Sequence, residues 1–155
     1  MLTWLKSLFL GPQPVGPPET LRAFKSTEPT ISKDSVRVED QALVVEANEK
    51  TTVSLFEVKQ PSVEKCILTY RANAKAEQLE GKAYLEMQCR FPRLGDHKAR
   101  GMDNALDGVG DWSPLEAQVY LAAGQSPDSL MLNMVMEGPG RVRMKDVEVI
   151  KTPTT

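Results

Sequence analysis

The sequence predicts an all-β chain, an antiparallel β-sandwich of about eight strands, on three observations. Apolar and polar residues alternate with a period of two over long runs, most plainly across residues 64–91. Short runs of the same kind recur at even spacing, separated by turns rich in Gly, Pro, Asp and Asn. From residue 20 onward no stretch carries a convincing helical period. At 155 residues the chain suits one domain whose core needs no staples. A net charge of −2, with both signs mixed along the chain, offers no general attraction to nucleic acid or anionic lipid.

Residues 1–10 (MLTWLKSLFL) are apolar around a single lysine. On a helical wheel Leu2, Trp4, Leu5, Leu8 and Phe9 share one side, opposite Thr3, Lys6 and Ser7, which predicts a short amphipathic helix. The run is too short to span a bilayer, which takes about 20 residues, and no small-residue cleavage site precedes the Gly-Pro block. Two readings stand: an anchor lying in a membrane interface or a partner's groove, or a helix packed on its own domain. Residues 11–19 are dense in proline and glycine, which makes an extended, semi-rigid spacer. The expected organisation is an anchor at 1–10, a linker at 11–19 and a sandwich at 20–152. The first reading makes the protein peripherally membrane-associated.

Val36 and Val38 form the inward pair of the first clear strand, and residues 42–47 make the next. Residues 51–58 alternate through Val53 and Leu55. Residues 64–91 then read as two long strands joined at Glu80-Gly81. Cys66, Leu68, Tyr70, Ala72, Ala74 and Ala76 face inward from one, and Ala83, Leu85, Met87, Cys89 and Phe91 from the other. Pairing Tyr70 with Met87 puts both apolar sets on one face and sets Arg71 opposite Glu86. The two cysteines become diagonal neighbours in this register, with Cα atoms roughly 7–8 Å apart, too far for a relaxed disulfide. They are expected as buried free thiols. Residues 93–111 are the longest irregular stretch. Residues 115–121 and 130–136 alternate again, and Met131, Met134 and Met136 read as core and edge packing. In the last strand, 141–150, Val142 and Met144 are out of phase with Val147 and Val149, which predicts a bulge at Lys145-Asp146.

Little here suggests catalysis. The single histidine, His97, lies beside Lys98 without the base and orienting partners that nucleophilic chemistry needs. No Gly-x-Ser-x-Gly, phosphate-cradling Gly-Lys, His-Glu-x-x-His or Cys-x-x-Cys occurs. Asp96, Asp103, Asn104, Asp107 and Asp111 are hard oxygen donors, but their spacing fits no defined calcium loop, and Lys98 and Arg100 compete for them. The expectation is no enzyme, no cofactor and no metal. Trp112, just before Pro114, is expected to close one end of the sandwich.

The polar sheet face is more informative. Tyr84, Glu86, Gln88 and Arg90 point outward, with Arg71 and Asn73 across the hairpin and Tyr120 from a later strand; Gln118 and Asn133 share that polarity. An aromatic plane with amide, carboxylate and guanidinium groups suits the C–H faces and paired hydroxyls of sugars. Tyr84, Glu86, Gln88, Arg90, Arg71, Asn73 and Tyr120 are therefore the candidate ligand-binding residues. The same face also reads as a solvated surface with an Arg71–Glu86 ion pair, and the 93–111 loop is an alternative location.

Three segments carry a family resemblance: Ala83-Tyr84-Leu85-Glu86, Asp111-Trp112, and the closing Gly-Pro-Gly-Arg-Val-Arg-Met-Lys-Asp-Val-Glu-Val from Gly138. Over about 64–151 the chain resembles the galactose-binding-like jelly-roll β-sandwiches, which include many carbohydrate-binding modules, and it is similar to uncharacterised bacterial proteins of that fold. The resemblance implies an antiparallel jelly roll and a non-catalytic module that binds a glycan. Such modules often read Asp-Asp where this chain has Lys145-Asp146, and the carboxylates near that strand hold a structural calcium in some members. The lysine argues against calcium here. The hydrophobic start supports a second function, an accessory or structural subunit docked on a membrane protein complex.

Overall fold

The computed structural model describes residues 13–155. It contains ten strands: β1 (Glu19–Phe24), β2 (Val36–Glu39), β3 (Ala42–Ala47), β4 (Thr51–Lys59), β5 (Cys66–Glu77), β6 (Ala83–Phe91), β7 (Gly95–Arg100), β8 (Ser113–Leu121), β9 (Ser129–Met136) and β10 (Gly140–Pro153). They form two antiparallel sheets. One runs β2-β3-β10-β5-β8 with β1 also on β10; the other runs β4-β9-β6-β7. The all-β sandwich is as the alternation requires. The expected helix over 1–10 and its side chains Leu2, Trp4, Leu5, Leu8 and Phe9 lie outside the described residues.

The long strand β10 organises the larger sheet. Its first half pairs with β3 and its second half with β1 along the same edge, while β5 runs along the other. Between the halves the register shifts from Lys145 to Glu148, and Asp146 takes φ +56°. This is the expected bulge. It restores the phase, so Val142, Met144, Val147 and Val149 all enter the core.

The hairpin expectation is overturned. β5 and β6 lie in different sheets and do not pair. Tyr70 stands opposite Ala117 and Val149, and Met87 opposite Leu132 and Ala99. The two apolar sets are inward as expected, but they face each other across the core rather than lying side by side. The connection explains it. Leu79 is buried, and the Leu79 and Glu80 amides donate to the carbonyls of Gly108 and Pro139. The segment therefore crosses the end of the sandwich instead of closing a tight turn. At about 3.3 Å per residue, residues 78–82 readily bridge sheets that pack roughly 10 Å apart.

Two strands exceed the expected eight. β7 lies inside the stretch expected to be irregular, and β1 precedes the first strand read from the sequence. Each buries one residue, Ala99 and Phe24 respectively, so neither carries a usable alternation. Val38 is 51 % exposed, because β2 is an edge strand whose end the core does not cover. Cys66 and Cys89 are buried free thiols, on opposite sheets. Residues 13–15, within the proline-rich stretch, run against the C-terminal end: Pro14 bridges Thr154, and the Val15 amide donates to the Pro153 carbonyl at 2.9 Å.

Candidate functional site

Because β5 and β6 belong to different sheets, the seven candidate ligand residues fall into two groups on opposite sides of the molecule. Tyr84, Glu86, Gln88 and Arg90 line the outer face of the four-stranded sheet, and Arg71, Asn73 and Tyr120 lie on the outer face of the larger one. Arg71 does not meet Glu86. Its register neighbours are Glu116 and Glu148, and its Nε donates to Glu148 Oε1 at 2.6 Å.

On the four-stranded sheet, Glu86 is 3 % exposed although it points away from the core. Asn133 of β9 and Arg100 of β7 flank it in register. Asn133 Nδ2 donates to Glu86 Oε1 at 3.0 Å, and Arg100 Nε donates to Glu86 Oε2 at 3.0 Å. Both carboxylate oxygens are thus engaged by donors, as a buried charge requires. Asn133 Oδ1 has no partner among the described residues. The Asn133 carbonyl accepts the Tyr70 hydroxyl across the core at 3.2 Å, beside the register shift in β4 between Ser54 and Phe56. Tyr84, next along β6, is also buried; burial first and the Glu137 carboxylate second hold its phenol above its ordinary range. Asn133 and Arg100 were not among the expected ligand residues. Their positions opposite Glu86 depend on the order of strands in the sheet.

Beyond this closed centre the face opens into a groove of about 570 Å³. Gln88 and Met131, opposite each other on β6 and β9, lie at its floor, with Arg90, Glu57, Asp96 and Asp128 around them. Gln88 Nε2 donates to Asp96 Oδ2 at 2.7 Å. The side chains of Arg90, Glu57 and Asp128 make no ion pair or hydrogen bond among the described residues. The groove therefore presents free guanidinium donors and free carboxylate acceptors on a rigid sheet, and its floor is aliphatic and amide. Phe91 reaches only its rim, packed against the core.

Nothing in this arrangement resembles an activated nucleophile. His97 is exposed on β7 and stands opposite Cys89, but the Cys89 thiol is buried and pushed up to about 12 by desolvation. Among the described residues no three His, Cys, Asp or Glu side chains come together as a metal site. Asp146 accepts from Asn73 Nδ2 at 2.9 Å, and Lys145 lies over the Trp112 ring, 4.3 Å from its centroid. Trp112 is half-buried and precedes β8.

No family model matches the sequence, and no curated protein matches it. Solved structures do match in shape. The xylan-binding domain CBM22-1 of Xyn10C from Paenibacillus barcinonensis superposes with a TM-score of 0.59 at 11 % identity, over 91 % of this chain and 99 % of that one. A family 30 carbohydrate-binding module of a cellulosomal cellulase from Clostridium thermocellum gives 0.53 at 10 % identity, over 82 % and 88 %. A CBM4 structure gives 0.54 at 12 % identity, over 84 % and 78 %. At these identities the likeness is one of fold: the chain shares the antiparallel β-sandwich of these structures.

Proposed function

We propose that this protein is a non-catalytic module that binds a hydroxyl-rich polysaccharide along the outer face of its four-stranded sheet. The observation that carries the reading is the groove beside Gln88 and Met131, where Arg90, Glu57 and Asp128 point unpaired groups into one concavity. Sugar hydroxyls donate and accept at once, and this mixture of free donors and acceptors meets both needs. The fold shared with carbohydrate-binding modules supports the same reading by analogy. Affinity electrophoresis through gels containing soluble xylan, mixed-linkage β-glucan or glucomannan tests it. Wild-type protein should be retarded by at least one polymer. Removing one charge-assisted contact costs about 1.5–3 kcal/mol, so Arg90→Ala should weaken binding about 10- to 150-fold. Migration unchanged in every gel would sink the proposal.

Residues 1–10 act as a tether in this reading. The pairing of Gln13, Pro14 and Val15 with residues 153–155 fixes the start of the described residues at one end of the sandwich, which supports this reading. The scarcity of exposed aromatic rings in the groove favours a second reading, an accessory subunit docked on a membrane protein complex through the same segment. Flotation of the full chain with liposomes, and recovery of a complex under mild solubilisation, separate the two.

A further inference from the structure

The outer face of the six-stranded sheet holds two adjoining depressions, of about 550 Å³ and 290 Å³, each lined by both Arg71 and Glu116. Each crosses β1, β10, β5 and β8, so a ligand lying in either runs across the strands for three spacings, about 14 Å. β10 shapes one of them. Its bulge turns Asp146 onto Asn73, and Asp146, Val147 and Glu148 line the larger depression.

The chemistry at the shared centre is unusual for a solvated sheet face. Arg71 and Glu116 are cross-strand neighbours, yet they form no ion pair. Glu148 holds Arg71 through Nε, which leaves the two terminal guanidinium nitrogens without an acceptor among the described residues. The Glu116 carboxylate likewise has no partner among the described residues. Gln118 donates to Thr69 Oγ1 at 3.1 Å and lines the smaller depression with Arg71 and Glu116. Tyr120 follows on the same strand, 43 % exposed. Acidic groups outnumber basic ones: among the described residues Glu116, Asp146 and Glu148 line the depressions with Arg71 as the one cation. Lys145, nearby, is directed onto the Trp112 ring.

We infer that this face is a second, independent binding site for a neutral glycan, with Arg71 donating to ligand oxygens and Glu116 accepting from ligand hydroxyls. The excess of carboxylates disfavours uronic-acid or sulfated chains. A site here shares no residue with the groove at Gln88 and Arg90, and the whole sandwich lies between them. One rigid, extended chain cannot occupy both, so a module with both sites would cross-link two polymers.

Titration of the full ¹⁵N-labelled chain with xylohexaose, cellohexaose, mannohexaose and hexagalacturonate, followed by NMR, tests the inference. A neutral hexasaccharide should shift the Arg71 Nε–H, the Gln118 side-chain amide and the Thr69 amide in a saturable manner. Glu116→Ala and Arg71→Ala should each weaken that response at least tenfold while leaving any shifts at Gln88 and Arg90 unchanged. Shifts confined to Gln88 and Arg90 would overturn the second site and leave the first standing. Shifts confined to Arg71 and Gln118 would support the second site and overturn the placement of the first. No response to any neutral hexasaccharide would overturn both. Preference for hexagalacturonate would overturn the neutral ligand class.

Discussion

Asn133→Ala tests the account of the buried polar centre. Two opposed terms decide its effect. The Asn133 amide donates at 3.0 Å to the carboxylate of Glu86, which is 3 % exposed. A hydrogen bond to a charged group contributes about 1.5–3 kcal/mol. The same amide keeps Oδ1 buried and without a partner among the described residues, which costs about 1–3 kcal/mol. Alanine removes both at once: it leaves the buried Glu86 Oε1 without its Asn133 donor, while Arg100 stays on Oε2 and the Tyr70 hydroxyl keeps its backbone acceptor at residue 133. The net destabilisation should therefore be small, about 0–2 kcal/mol, a Tm shift of at most roughly 8 °C in a domain of this size. Urea denaturation at pH 7 measures it. The double variant with Glu86→Gln sharpens the test. A neutral partner weakens the lost bond, so Asn133→Ala should cost roughly 1 kcal/mol less in that background. A loss above about 4 kcal/mol for Asn133→Ala alone would show that relief of Oδ1 does not offset the carboxylate oxygen left without its donor, and would refute the balance. No coupling to Glu86→Gln would show that the amide does not serve the carboxylate.

Gly101→Ala should destabilise by about 1–3 kcal/mol or more, because a Cβ there would fall 1.8 Å from the Glu116 carbonyl oxygen, which is backbone; a thermal melt within 1 °C of wild type would refute that close approach. Burial holds the Cys89 thiol at about 12 against an ordinary 9.0. The unfolded chain therefore releases this proton first, and stability should fall as pH rises from about 9 towards 12; Cys89→Ser should flatten that part of the profile, and an unchanged slope would refute the assignment. Deleting residues 1–10 should leave the melting temperature nearly unchanged, because the pairing of residues 13–15 with 153–155 remains, while liposome flotation is lost. Unfolding or aggregation of the shortened chain would make those ten residues part of the core.

Much of the interior was legible from residue order alone. Side-chain phase in a strand is a local property with period two, so the inward sets Cys66 to Ala76 and Ala83 to Cys89 followed from the alternation whatever lay beside them. The bulge at Lys145-Asp146 followed in the same way, since only an extra residue reconciles Val142 and Met144 with Val147 and Val149. The polar character of Tyr84, Glu86, Gln88 and Arg90 also pointed to an outward face. What the alternation could not convey is which strand lies next to which. An inward-facing strand has the same pattern whether its partner is hydrogen-bonded beside it or packed opposite it across the core. The apolar Leu79 beside Glu80-Gly81 was the one sign in the connection that β5 and β6 part company, and its burial is seen only in the structure. Only the tertiary arrangement brings Arg100 and Asn133 onto Glu86, separates Arg71 from it by the thickness of the sandwich, and so makes two polar faces where one was expected. Contacts between strands remote in sequence are set by the topology of the whole sheet, which no local spacing records.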